Sequence, residues 1–175
     1  MKIGRVTLSD RASSGMYEDL SGPEIERVLR EQFAGPVEFE SVLLPDEEQQ
    51  IAMALKHLCT IGCALVVTTG GTGPAARDVT PEATRAVLEK ELPGFGETMR
   101  AVSFAKVPTA ILSRATAGVR GKTLIINLPG NPQAIAECLP PLMPAIAEAI
   151  DHIAGFRPAL KPGVTPYGKL EGKHI

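Results

Sequence analysis

Residues 64–69, ALVVTT, restrict this chain more than any other stretch. A short, unbroken apolar run is the mark of a strand buried on both faces, and such strands lie inside parallel sheets with helices on either side. Parallel neighbours also demand a crossover between them, usually a helix. The flanking sequence meets both demands. Residues 3–9 (IGRVTLS) read as a first strand and 10–20 as a polar loop. Ser21 and Glu24 have capping-box spacing and open a helix carrying Ile25, Val28 and Leu29. Gly35 and Pro36 end it, residues 37–44 alternate as a strand, and a second helix over 47–61 follows Pro45 and Asp46.

Beyond the apolar run, Thr80 reads as the N-cap of a third helix with Pro81 at its first position. Residues 93–112 predict a helix and then an irregular turn at Pro108. Strands are expected over 111–119 and 123–128, joined by a turn at Arg120, Gly121 and Lys122. A last helix over 132–153, opened by Asn131 and Pro132, carries Ile135, Leu139, Leu142, Ile146 and Ile150 on one face. Pro140, Pro141 and Pro144 should kink it or delay its start. The alternation predicts an α/β fold, a three-layer sandwich with a mostly parallel central sheet. It occupies one domain, residues 1–154, with 155–175 as a Pro/Gly-rich tail.

Composition narrows the function. At 175 residues and 44% hydrophobic, the chain supports one substantial core. A net charge of −2 with scattered lysines and arginines, and only 4% aromatics, argues against a nucleic-acid partner. Three cysteines without a CxxC pair do not form a disulfide framework. No apolar run reaches the roughly 20 residues of a membrane span. The N-terminal MKIGRVTLSD enters a strand pattern with no secretory h-region, so a cytoplasmic enzyme is expected.

The apolar run ends in TTGGTGPAARDVTP, residues 68–81, with Gly70, Gly71 and Gly73 close together. Gly71 to Ala76 formally matches a dinucleotide fingerprint. That motif needs its helix to begin inside it and to follow the first strand, and here the helix signal waits until Thr80. Gly121-Lys122-Thr123 lacks the upstream glycine of a P-loop, because Thr116 stands there, and it leads into a strand. What remains is a glycine turn at the C-terminal end of a central strand, where open α/β sheets bind ligands. With Thr68, Thr69 and Thr72 beside it, the turn reads as an anion cradle of hydroxyls and amides.

Asp46 and Asp78 both follow strand ends, so both reach the same rim, as does Asp10. Two carboxylates beside a polyphosphate suit Mg²⁺-assisted phosphoryl or nucleotidyl transfer. Spacing alone favours a bland reading for Asp46, since Asp46 and Gln49 have the spacing of a cap pair. Asp78 is placed less well for capping, and Asp10 is equally a turn former. His57 and His152 have no partner at a metal spacing, and no GxSxG is present.

LSDRASSG (8–15), LLPDEE (43–48), TTGGTGPAARDVTPEAT (68–84), PGFGETMR (93–100) and INLPGNP (126–132) together resemble the molybdopterin adenylyltransferase family, similar to the corresponding domains of gephyrin and the plant enzyme. Paralogues share GGTG and RDVTPEA; Pro74-Ala75-Ala76, PGFGETMR and VPTAILSR favour the adenylyltransferase branch. The resemblance implies that molybdopterin attacks the α-phosphorus of ATP with Mg²⁺ present, releasing pyrophosphate. It places catalysis and metal binding on Asp46 and Asp78, against the cap reading of Asp46. Thr69, Gly70, Gly71, Thr72 and Gly73 would cradle phosphates, with Ser9, Asp10, Pro129, Gly130 and Asn131 lining the remainder. It also implies a homotrimer that passes its product to a molybdate-inserting protein. The rival is a non-catalytic molybdopterin-binding paralogue of the same fold, against which both aspartates stand.

Overall fold

A computed structural model describes residues 1–163; residues 164–175 of the expected tail lie outside the described residues. The elements are β1 (Lys2–Leu8), α1 (Asp10–Ser13), α2 (Ser21–Gln32), β2 (Glu38–Leu44), α3 (Glu48–Thr60) and β3 (Leu65–Thr69). There follow α4 (Thr80–Arg85), β4 (Lys90–Glu91), α5 (Gly94–Phe104), a 3-10 helix (Pro108–Leu112), β5 (Ala117–Arg120), β6 (Thr123–Leu128) and α6 (Pro132–Ala154). They build a six-stranded sheet in the order β2-β1-β3-β6-β5-β4. The first four strands of that order are parallel, and β5 and β4 add antiparallel.

The expected three layers are present, and the strand period of two creates them. Leu65 and Val67 of β3, with Leu124, Ile126 and Leu128 of β6, face a core shared with α2, α5 and α6. Val66 and Ile125 face the opposite core, with Ile51, Leu55 and Leu58 of α3 and Ala83 of α4. Every residue of β3 and β6 is buried, as a doubly covered strand requires.

Several local expectations are corrected. The Ser21–Glu24 capping box does not form. The Ser21 hydroxyl instead donates to the Gly130 carbonyl (2.7 Å), and the Asp19 carboxylate accepts from the Gly22 amide (2.9 Å). The 10–20 loop begins as the one-turn helix α1, with Ser9 Oγ accepting from the Ala12 amide at its start. Residues 111–119 are not one strand. Arg100 Nη1 donates to the carbonyls of Ser113 and Ala115, competing with ladder pairing, so the strand begins only at Ala117. The two-residue β4 is too short to carry a periodic signal, and the sequence does not announce it. Proline does not delay α6, which starts at Pro132 and contains Pro140, Pro141 and Pro144. Each interior proline costs about 3 kcal/mol; eight buried side chains on this helix, Ile135 to Ile150, offset that. Of the expected tail, Ala159 and Lys161 bond to Ala34 and Gln32 at the end of α2.

Candidate active site

Because β1, β2, β3 and β6 run parallel, their C-terminal ends share one rim. Ser9 and Asp10 follow β1, Asp46 follows β2, Gly70 to Gly73 follow β3, and Pro129 to Asn131 follow β6. The fold thus gathers on one edge residues that the chain spreads over 120 positions. The turns touch: a Cβ added to Gly130 would stand 3.3 Å from Gly70 Cα.

The glycine turn is built with its acceptors facing inward. Gly70 O accepts from the Thr80 hydroxyl (2.8 Å) and Gly71 O from the Thr80 amide (3.1 Å). Thr72 O accepts from the Arg114 amide (2.8 Å) and Gly73 O from Arg114 Nε (2.8 Å). Four successive carbonyl oxygens are therefore bound to the body of the protein. Gly70 and Gly71 achieve this with φ of +95° and +61°, which only glycine adopts cheaply. Their neighbours leave no room either. A Cβ at Gly70 would meet Leu8 O at 2.1 Å; one at Gly71 would meet Thr80 Oγ1 at 2.4 Å and Asp46 Oδ1 at 2.7 Å. The threonine hydroxyls expected to join the cradle are partly committed elsewhere. Thr69 Oγ1 donates to Pro129 O (2.7 Å), and buried Thr68 accepts from Asn127 Nδ2 (3.0 Å). Nor does Thr80 cap α4: Val79 holds that position, and Thr80 secures the turn.

Asp46 does not cap α3 either. Glu47 is the cap residue, with no side-chain bond. Asp46 and Asp10 exchange backbone bonds: the Asp10 amide donates to Asp46 Oδ2 (3.1 Å) and the Asp46 amide to Asp10 Oδ1 (3.0 Å). The other oxygen, Asp46 Oδ1, is buried without a hydrogen-bond partner and faces Gly71. Burial raises the Asp46 pKa above the ordinary carboxylate value. The charges of Asp10 and Asp78 add to this, and together they outweigh the Asp10 amide. Asp10 goes the other way, lowered by two hydrogen bonds from Arg77 and by the Asp46 amide. Arg77 also pairs with Glu47 (2.9 Å).

Asp78 closes the far side of the loop. Its Oδ2 accepts from the Ala75 amide (2.9 Å), its own amide donates to Ala75 O (2.9 Å), and Oδ2 lies 2.8 Å from where a Cβ on Gly73 would stand. Two cavities flank the turn after β6. One, of about 260 Å³, is lined by Ser9, Asp19, Ser21, Thr69, Gly70 and Gly130 among others. The other, of about 310 Å³, is lined by Pro129 and Asn131 with Arg100, Lys106, Ser113 and Glu137 among others. The expected site residues therefore share a rim but not one pocket. Asn131 also caps α6, accepting from the Gln133 amide (2.9 Å).

A glycine turn with inward carbonyls and an unsatisfied carboxylate beside it is chemistry suited to a phosphate-bearing ligand. The family model described as a probable molybdopterin binding domain matches residues 4–148. Over 154 residues the chain is 56% identical to molybdopterin adenylyltransferase of Helicobacter pylori J99, covering 87% of this chain and 88% of that one. It is 49% identical over 153 residues to molybdopterin adenylyltransferase of Escherichia coli K12, covering 87% and 78%. The chain belongs to the molybdopterin-binding domain family. The structure of the molybdopterin biosynthesis enzyme MoaB of Thermus thermophilus superposes with a TM-score of 0.81 at 42% identity, covering 89% of this chain and 98% of that one.

Within this molybdopterin-binding fold, four contributors escaped sequence reasoning. Arg114 and Arg77 hold the loop and Asp10, while Asp19 accepts from Arg5, Thr7 and Gly22 behind the smaller cavity. Asn127 donates to Thr68 and Thr84 (3.0 and 2.8 Å) and joins β6, β3 and α4. Most of their partners are 12 to 67 residues away, so the motifs that contain Arg77, Arg114 and Asn127 do not show these bonds.

Proposed function

We propose that this chain adenylylates molybdopterin: an oxygen of the terminal phosphate of the pterin attacks the α-phosphorus of ATP, and the bond to the β-phosphate breaks to release pyrophosphate. The observation that carries the reading is the glycine turn with its carbonyls bound inward, between Asp46 and Asp78. Turning four acceptors away removes the repulsion that an incoming polyphosphate would meet. The attacking phosphate is a monoester whose second ionisation lies near pH 6, so it needs no general base. The work left to the protein is alignment of the two phosphates and exclusion of misaligned encounters.

The residues fit Mg²⁺. Asp46 Oδ1 is buried and unpartnered, and Asp46 already feels the charge of Asp78. No group of three or more His, Cys, Asp or Glu side chains able to hold a metal exists among the described residues. One or two carboxylates, with substrate phosphates and water completing the octahedron, is the usual Mg²⁺ arrangement. Asp46 and Asp78 would hold it, and when bound it would neutralise charge developing on the phosphates. The same reading takes the working unit as a cytoplasmic homotrimer that passes product to a molybdate-inserting protein. The exposed apolar Phe104, Val107, Ile111 and Leu112 support a contact between subunits. Purified protein with molybdopterin and MgATP should yield pyrophosphate and adenylylated pterin in equal amounts. EDTA should stop the reaction and added Mg²⁺ restore it. Failure to form either product overturns the activity, and turnover that survives rigorous chelation removes the metal.

A further inference from the structure

Arg114 lies between β5 and the 3-10 helix, outside every glycine or aspartate motif, yet it makes more bonds to the loop than any residue of the loop itself. Its amide holds Thr72 O (2.8 Å), its Nε holds Gly73 O (2.8 Å), and its Nη2 holds Asp78 O. Its Nη1 pairs with Glu82 on α4. One side chain thus fastens the residues on either side of the exposed 74–77 segment, Gly73 and Asp78. The platform behind it is itself fixed, because Arg100 Nη1 donates to the carbonyls on either side of Arg114, those of Ser113 and Ala115. Glu82 is held against this fork with its second oxygen buried and unpartnered. A planar guanidinium reaches three separate acceptors at fixed angles, which an ammonium cannot do.

We infer that Arg114 is a positioning residue for the adenylyl transfer proposed above: its side chain keeps the carbonyls of Gly73 and Asp78 bound to the body of the protein, and thereby sets the place of the Asp78 carboxylate. The inference rests on that reading of Asp78. Without the fork, Asp78 is located only by its own turn to Ala75 and by whatever the exposed Arg77 holds. A loop that relaxes by an ångström also returns carbonyl oxygens toward the phosphates. Misplacement of that size is worth about a hundredfold in rate.

The test is a double-mutant cycle on the full chain, with kcat, both KM values and Tm measured for Arg114→Lys, Asp78→Asn and the pair. Arg114→Lys should lower kcat about 100-fold while KM for molybdopterin moves less than about threefold. In the Asp78→Asn background the same change should cost less than about twofold, because the group it positions is already disabled. Full additivity of the two losses overturns the inference, since Arg114 would then act through something other than Asp78. A lower Tm with unchanged kcat in Arg114→Lys overturns it too, leaving a purely structural pin. Normal turnover in Asp78→Asn fails the reading of Asp78 and takes this inference with it, whereas loss there with a fully active Arg114→Lys overturns the inference alone. If Arg114→Lys does not fold, Glu82→Gln carries the test. It loosens the fork while leaving Arg114 in place, and a kcat drop of about tenfold is expected; no drop overturns the proposal.

Discussion

The ends of β1 and β2 carry one aspartate each, side by side and bonded to each other, and the two differ in what surrounds them. Asp10 stands on an open ledge where Arg77 grips both of its oxygens and reaches on to Glu47. Asp46 sits a step inward, against Gly71, with one oxygen buried and unmatched. Exposed pairs of the first kind contribute little to stability. A buried unmatched carboxylate of the second kind destabilises the fold, and folds keep such groups where function needs them. The ledge is a finished electrostatic structure; the inner seat is an incomplete one.

The largest effect expected from breaking this contrast is on turnover. Asp46→Asn and Asp78→Asn keep side-chain shape but remove the charge, and each should reduce adenylyl transfer by about a thousandfold or more. Steady-state rates of folded variants check this, and near-normal turnover in Asp46→Asn would return that residue to a merely local role. Gly71→Val comes next. Its branched Cβ would collide with Thr80 Oγ1 and Asp46 Oδ1 in a left-handed backbone. A folded protein about 1–3 kcal/mol less stable, with ligand binding lost, is expected. Denaturant titration and calorimetric binding measure the two parts.

The third effect is on stability against pH. Burial raises the folded pKa of Asp46, so its ionised form weakens the fold at neutral pH. That penalty disappears as pH falls below the unfolded carboxylate pKa of about 3.9. Asp46→Asn should therefore be at least as stable as the parent at pH 7, with the difference closing on acidification. Thermal melts across that range decide it, and a variant less stable at pH 7 would sink the idea of an incomplete seat. The smallest effect belongs to the ledge. The lowered pKa of Asp10 means that its contribution is present above the ordinary carboxylate range and lost as pH falls through the folded value. Arg77→Gln should reduce this acid sensitivity, leaving the part due to the Asp46 amide, produce only a slight Tm change and lose even that in high salt. A large, salt-independent destabilisation would show that the ledge is not the weak surface pairing described here.

Sequence alone determined the layers. The unbroken run at 64–69 required a doubly covered strand, and the alternation around it required crossovers, because burial period and chain connectivity are local properties that each segment carries by itself. It also determined which turns meet at the rim, since parallel strands bring their C-terminal ends to one edge whatever the side chains are. Only the tertiary structure decided what each group on that rim does. Gln49 stood at cap spacing from Asp46, yet Asp46 turned to Asp10, which lies 36 residues away. Ser21 and Glu24 matched a capping box, yet Ser21 reached Gly130. Arg114 ends the VPTAILSR stretch, which gave no hint of its role, and holds the loop. A polar side chain takes whichever partner burial leaves nearest, and packing sets that distance across the sheet, where no short stretch of sequence can express it.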